Sequence, residues 1–387
     1  LTRVIGIVAN EPSGDLLGAA LVRALRQRLP DARFVGVAGE RMQAEGCETL
    51  FPLERLSVMG LVEVLKVAPE LLRLRRELVR WFRANPPDVF IGVDAPDFNL
   101  GLETRLRRAG IRTVHLVSPT VWAWRPGRVK RIRRAVDLML SIFPFEEAFL
   151  RRQGVPVCYV GHPLADEIPF EVDAAAARAA LGLPVTDEPA TGGVVALLPG
   201  SRMSEVERLA RPMLETALAC ARQRPGLRFV VPLVNERLHR VFDQVRRDLA
   251  PDLDCLLLRG RSREAIAAAD CVLTASGTAT LETLLLKRPM LVAYRLNALT
   301  YWLVRQLKLI KVPYAAMANL LAGQELAPEF IQERCRAELM APALLGLLDD
   351  HARREQIVRE YARIHRELRH QAADRAADAV IGLLQRP

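Results

Sequence analysis

The chain has 387 residues, half of them apolar, with 55 basic against 45 acidic side chains and a formal charge of +10. That length exceeds what one hydrophobic core usually serves, so two domains are expected, and the apolar content excludes generic disorder. The excess charge is arginine spread along the chain, with lysine confined to Lys66, Lys130, Lys287, Lys308 and Lys311. No zinc-finger spacing or interleaving of basic and aromatic residues marks a nucleic-acid reader, whereas an anionic surface or substrate suits the charge.

The run 4–9 is a short β-branched strand signal that ends in Asn10-Glu11-Pro12-Ser13-Gly14-Asp15 and passes into a helical period. No charged leader with an apolar core precedes it, so secretion is not expected, and no run reaches the roughly 20 apolar residues of a membrane span. Ser13 or Asp15 suits a helix cap. Glu11 lies ahead of the cap and is a candidate general base. Strand signals recur at 33–39 and 88–99, where Asp94 follows an apolar run and is the stronger base candidate; Asp97 and Asn99 suit turn and cap positions.

Between them, 58–82 repeats apolar residues at helical spacing among Lys66, Arg73, Arg75, Arg76 and Arg80, a pattern that suits packing on a core or lying on an anionic bilayer. Pro69 is expected to begin or divide that helix. In 115–132, Trp122 and Trp124 would face one side of an extended segment, as core or as a platform for a sugar or acyl chain. His162, in Val160-Gly161-His162-Pro163, reads as a substrate contact or a hydrogen-bonded structural histidine.

Around 165–192 Pro, Asp, Gly and Thr clusters interrupt the pattern, which then restarts. Two similar-sized α/β domains with parallel sheets, facing across a cleft, are the expectation, with ligands beyond the carboxyl ends of the strands. In the second half, Pro199-Gly200-Ser201-Arg202 follows an apolar run. Gly200 permits a tight turn and Ser201 and Arg202 offer donors to a phosphate, although plain strand-to-helix punctuation also fits. Ser276, Gly277 and Thr278 either start a helix or cradle a diphosphate, with Glu282 one turn on to accept from a ribose diol. Neither stretch is a Walker loop, and no GxGxxG occurs. The stretch 301–314 repeats the basic, aliphatic character of 58–82, and Asn319 follows in a polar turn. The chain from Pro328 onward reads as largely helical. The cysteines at 47, 158, 220, 255, 271 and 335 form no CxxC pair, and no His/Cys cluster or HExxH has metal spacing; free thiols, no required metal and no cofactor are expected.

In order along the chain, "SGDLLGA", "FVGVAGERMQAEGCE", "MGLVEVL", "IGVDAPDFN", "SPTVWAWRPGRVKRI", "FPFE", "LLPGSRMSEVE", "VVPLVN", "ASGTATLE" and "NLLAG" resemble the bacterial lipid-A-disaccharide synthases. The resemblance covers nearly the whole chain and implies a GT-B glycosyltransferase: two Rossmann-like domains with a helical C-terminal tail. It implies an acceptor- and lipid-side domain at 1–165, an interdomain segment at 166–191, a UDP-sugar domain at 192–355, and a tail at 356–387 packing back on the first domain. The implied reaction moves 2,3-diacylglucosamine from its UDP donor to the 6-hydroxyl of 2,3-diacylglucosamine 1-phosphate, with inversion and release of UDP. An anionic membrane surface, the cytoplasmic face of the inner membrane, is the implied setting. No nucleic-acid partner is implied, and the oligomeric state is left open, a homodimer included.

By this resemblance Glu11, Asp94 and Asn319 are the catalytic candidates. Arg202 and the stretch 276–282, with Ser276, Gly277, Thr278 and Glu282, match the nucleotide-binding half; Ser201, Ser13, His162, Trp122 and Trp124 are candidates for binding substrate or nucleotide from their own positions. Three positions depart from the family pattern: Asn10 replaces the usual Gly before Glu11, Pro12 replaces Ala or Thr after it, and Ala318 replaces Pro before Asn319. The competing readings are a GT-B UDP-sugar epimerase or hydrolase, and a nucleotide-regulated peripheral binding protein in which Asp94 is dispensable.

Overall fold

The computed structural model describes residues 2–56, 61–121, 126–185, 192–296 and 313–386. Two compact units emerge: unit 1 is Leu1–Asp166 with Leu368–Pro387, and unit 2 is Glu167–Glu367.

Unit 1 is built on β1 (Val4–Val8), β2 (Arg33–Val37), β3 (Cys47–Thr49), β4 (Val89–Val93), β5 (Thr113–Leu116), β6 (Leu138–Ser141) and β7 (Val157–Tyr159). Its sheet order is β3-β2-β1-β4-β5-β6-β7, every pairing parallel. Unit 2 repeats the plan with β8 (Val194–Leu198), β9 (Arg228–Leu233), β10 (Cys255–Arg259), β11 (Cys271–Ala275), β12 (Met290–Tyr294) and β13 (Glu329–Ile331). Their order is β10-β9-β8-β11-β12-β13, again all parallel. The expected pair of parallel α/β domains is present.

Helices cover both faces of such sheets, so the central strands carry apolar residues without alternation. β4, β8 and β11 are buried along their whole length. Phe90 on β4 meets Phe82 edge-to-face at 5.1 Å, fixing the end of the helix Leu61–Ala84 against the sheet. That helix runs through Pro69 instead of beginning or breaking there; the ring forfeits one intrahelical bond, which 24 residues absorb. In each unit strand order reverses beside the first strand, between β1 and β4 and between β8 and β11. These are the switch points at which crossovers part to opposite faces and leave a crevice at the carboxyl ends.

The boundaries differ in detail from those read in the sequence. The 166–191 segment carries the helix Ala174–Ala180, packed on the helix Ser262–Ala268 of unit 2 and anchored by Arg178, which donates to Ala268 O at 2.9 Å and pairs with Asp270 at 2.8 Å. The helix His351–Leu368 lies almost wholly in unit 2, so the part of the tail that belongs to unit 1 starts at 368. There the helix Ala372–Leu384 packs on the helix Pro12–Arg28, where Arg28 bridges Asp374 at 2.9 Å and Asp378 at 2.6 Å. Asp166 accepts the Gln371 and Ala372 N–H groups that open this helix.

Candidate active site

At the unit 1 switch point, Asn10 and Glu11 leave β1 and Asp94 leaves β4. Together with Gly14, Val93, Ala95 and Pro96 they line a cavity of about 230 Å³. Glu11 holds the N-cap position of the helix Pro12–Arg28 in extended backbone, yet its side chain caps nothing and is exposed. Ser13, in the first turn, is exposed too. Asp15 is buried and does cap a helix, but a different one: its carboxylate accepts from the N–H groups of Gly39 at 2.9 Å, Arg41 at 3.0 Å and Met42 at 3.1 Å, at the start of the helix Glu40–Ala44.

Asp94 and Ala95 both occupy left-handed backbone, at φ +51° and +44°. Neither is glycine, so the turn is strained, and strain of this kind persists only where surrounding bonds over-determine it. They do here. Asn99, fully buried, donates through Nδ2 to Asp94 O at 2.9 Å, Val93 O at 3.1 Å and Val8 O at 3.4 Å, tying the ends of β4 and β1 together. Asp94 N–H donates to Leu116 O at 2.8 Å. Asp94, half-buried, is thereby held in the wall of the cavity that Glu11 also lines. Val117, at the end of β5, is a third non-glycine residue at positive φ, +78°.

Asn10 adds a group the sequence reading passed over. It is 4 % exposed, makes no hydrogen bond among the described residues, and its Oδ1 is buried without a partner. Its signal in the sequence was the departure from glycine beside Glu11. The cavity opens onto a groove of about 430 Å³ that shares Asn10, Glu11, Ala95 and Pro96 and continues along Leu56, Leu71, Leu72 and Phe98 to Arg75. Leu72 is 42 % exposed.

In unit 2 the two loops singled out in the sequence leave adjacent strands at the switch point. After β8, Gly200 sits at φ +114°, and a Cβ there would come within 2.4 Å of Glu205 Oε2. That carboxylate accepts from the N–H groups of Ser201 at 3.0 Å and Arg202 at 3.2 Å, capping the helix Met203–Gln223. The turn thus serves its own helix, with the Ser201 side chain exposed and the Arg202 side chain 81 % exposed beside it. After β11, Gly277 at φ +146° is the N-cap of the helix Thr278–Leu285, which no side chain caps. Thr278 is exposed, and a helix start without a side-chain cap is where an anion can be received. Ser276 Oγ donates to Ala315 O at 3.1 Å. Glu282 accepts from Arg263 Nε at 3.2 Å, and Arg263 also pairs with Glu167 at 2.8 Å.

Asn319, a catalytic candidate by the family resemblance, has its amide engaged by neighbouring groups. It is fully buried, its Oδ1 accepts from the N–H groups of Leu326 and Ala327, and its Nδ2 donates to Ala327 O and Glu329 Oε1, all at 2.7–2.9 Å. Every hydrogen-bonding position of the amide is used within its loop. His162 is also turned inward: burial pushes its imidazole down to about 4, Nδ1 accepts the Leu164 N–H at 3.1 Å, and the ring packs on Phe143 at 5.1 Å. Trp122 and Trp124 lie outside the described residues, as does 301–312.

Comparison with known proteins agrees with this construction. The family described as lipid-A-disaccharide synthetase matches residues 5–381. A lipid-A-disaccharide synthase from Pseudomonas aeruginosa is 53 % identical over 382 residues, covering 99 % of this chain and 98 % of that protein. Among solved structures, a glycosyltransferase from Rickettsia africae superposes with a TM-score of 0.61 at 10 % identity over 100 % of this chain and 99 % of its own. A UDP-GlcNAc 2-epimerase from Neisseria meningitidis gives 0.59 at 12 % over 99 % of each. At such identities the likeness establishes the fold, GT-B, and no more.

Proposed function

The chain belongs to the lipid-A-disaccharide synthase family, and we propose that it joins 2,3-diacylglucosamine, delivered by UDP, to the 6-hydroxyl of 2,3-diacylglucosamine 1-phosphate. The observation that carries this reading is the pair of carboxylates, Glu11 and Asp94, lining one cavity at the unit 1 switch point. Asp94 acts as general base: it takes the proton as the acceptor oxygen bonds to the anomeric carbon. The bond from that carbon to the diphosphate breaks with its electron pair on UDP, and attack from the opposite face inverts the centre. Arg202 and the open N–H groups at Gly277–Thr278 stabilise the charge gathering on the diphosphate. Glu282 receives the ribose, and Asn319 shapes the loop that faces the donor instead of touching reacting atoms. Glu11 orients the acceptor hydroxyl.

The acyl chains lie along the groove of Leu56, Leu71, Leu72 and Phe98, which adjoins the carboxylate cavity. Among the described residues no helix is long and apolar enough to cross a membrane. Contact with an anionic cytoplasmic membrane face is therefore peripheral, through this groove and the basic helix Leu61–Ala84.

The test supplies the full chain in neutral detergent micelles with both substrates, or with the donor alone, and follows UDP and disaccharide by mass spectrometry. UDP and disaccharide rising together only with both substrates is the expected result. Equal UDP release without acceptor would replace the reading with hydrolysis, and UDP binding by a folded chain without turnover would replace it with a nucleotide-binding role.

A further inference from the structure

Some arginines of this chain pair closely with carboxylates: Arg3 with Asp88, Arg33 with Glu48, Arg107 with Asp137, Arg178 with Asp270 and Arg224 with Asp349 all lie within 2.9 Å. One cavity of unit 1 instead gathers cations together. It measures about 570 Å³ and is lined by Arg75, Arg105, Arg108, Lys130, Arg131 and Arg134, with Gly101, Thr104 and Gly127 completing the wall. No carboxylate lines it. Among the described residues, of the six cations only Arg131 has one within reach, the exposed Asp97 at 3.9 Å, and Arg105 donates to Gly101 O at 2.7 Å.

The cations come from three helices: Leu61–Ala84, Pro96–Arg107 with the residue after it, and Val129–Ala135. An adjoining hollow of about 400 Å³ shares Arg105 and Arg108 and adds Arg76, Arg80 and Arg83. Arg75 is the half-buried member. Burial, then the charges of Arg105, Arg131 and Arg76, hold its guanidinium below the usual arginine range. A Cβ on Gly101 would stand 2.4 Å from Arg75 Nη1, so a side chain at 101 would displace the guanidinium from the cavity wall.

A solvated basic face would spread such charges apart or intersperse acids, since like charges this close oppose one another. Concentration around a hollow, with a half-buried arginine at its wall, is what a multiply charged anion stabilises. Guanidinium forks match tetrahedral oxyanions, and none of the described lining residues is an aromatic ring that would stack a base. Arg75 also ends the apolar groove that begins at Asn10 and Glu11. Anion cavity and apolar groove therefore meet at one side chain.

We propose that this cavity is a phosphate-binding site, holding the phosphate of an amphiphile whose acyl chains occupy the adjoining groove. The assignment of the groove rests on the transferase reading; the cavity's affinity for phosphate does not. Two sources share the chemistry: the sugar phosphate of the acceptor, and the headgroup of an anionic phospholipid.

The experiment compares the full chain with Arg75→Gln, Arg131→Gln and the exposed Arg134→Gln, using Arg33→Gln as a control that removes the same charge elsewhere. Three readouts are taken: acceptor and donor KM in neutral micelles, binding to phosphatidylcholine vesicles with and without phosphatidylglycerol, and calorimetry with inorganic phosphate. If the acceptor supplies the phosphate, cavity variants raise acceptor KM about tenfold and leave donor KM within about twofold, the loss of one charge-assisted hydrogen bond. If a lipid headgroup supplies it, both KM values hold in neutral micelles while binding to anionic vesicles falls about tenfold and loses salt sensitivity. In either case inorganic phosphate binds the wild type more tightly than the cavity variants, and Arg33→Gln behaves as wild type. Cavity variants with wild-type melting temperature, unchanged acceptor KM and unchanged vesicle and phosphate binding would overturn the proposal. A wild type that binds phosphate or anionic vesicles through these arginines but makes no disaccharide would keep the site and remove the transferase reading.

Discussion

The imidazole of His115 on β5 lies 2.7 Å from the Glu103 carboxylate on the helix Pro96–Arg107, and neither side chain touches solvent. Among the described residues Glu103 Oε2 and His115 Nε2 have no further partner. Burial pushes the Glu103 carboxyl up even though His115 pulls it down. The pair ties β5 to the helix that carries Asn99, and Asn99 holds Asp94. Glu103→Gln keeps a hydrogen-bonding group opposite the ring and should cost about 1 kcal/mol. Glu103→Ala strands the imidazole and opens a void, at about 3–5 kcal/mol. Denaturant melts of the two variants check the difference; equal losses would show that the bond contributes nothing beyond packing.

The strained turn at Asp94 gives a second contrast. Asp94→Asn leaves the backbone clamp untouched, so the expected result is a wild-type melting temperature with kcat lower by a factor of about 10²–10⁴. Asn99→Ala removes the donor to Asp94 O, Val93 O and Val8 O. It should lower stability by about 3 kcal/mol and kcat together, because the carboxylate loses its support. Steady-state kinetics alongside melting curves separate these outcomes. A destabilised Asp94→Asn would make the carboxylate a structural group.

Much of the architecture was legible because parallel strands are written as short, mostly apolar runs: eleven of the strands, from Val4–Val8 to Met290–Tyr294, stand out this way, Thr113–Leu116 despite its His115. The two that did not, Cys47–Thr49 and Glu329–Ile331, are three-residue edge strands with a glutamate each, too short and too polar to signal. The site was legible only as positions. That Glu11 and Asp94 leave strands was readable; that β1 and β4 are neighbours is a fact of strand order. Asn319 is a catalytic candidate by the family resemblance alone, and the hydrogen bonds that bury its amide carry no mark in the sequence. Glu205 was passed over because its partners, the N–H groups of Ser201 and Arg202, carry no side-chain identity.

Asn10 yields a prediction in which stability and activity move in opposite directions. A buried amide without a partner costs about 1–3 kcal/mol. Asn10→Ala should therefore raise the melting temperature of the ligand-free chain, by about 2–4 °C per kcal/mol for a unit of this size. The same change should raise acceptor KM, since the amide lines the cavity of Glu11 and Asp94. Thermal scans with and without acceptor test both halves. A lower melting temperature in the variant would mean that the amide is satisfied in solution, by a bound water for instance.

Acid sensitivity should be traceable to His162. Burial holds its imidazole at about 4 against an ordinary 6.5, so between those values the unfolded chain takes up a proton that the folded chain refuses. Stability then falls as pH drops from 6.5 towards 4, by about 3 kcal/mol across the interval, and the penalty grows no further once the folded histidine also protonates. His162→Asn removes the titration while leaving an oxygen to accept the Leu164 N–H. It should cost about 1–2 kcal/mol at neutral pH through the lost contact with Phe143, yet flatten the acid limb of the stability curve. Denaturant melts at intervals from pH 7.5 to 4 read this directly. Parallel curves for wild type and variant would place the acid sensitivity in other groups.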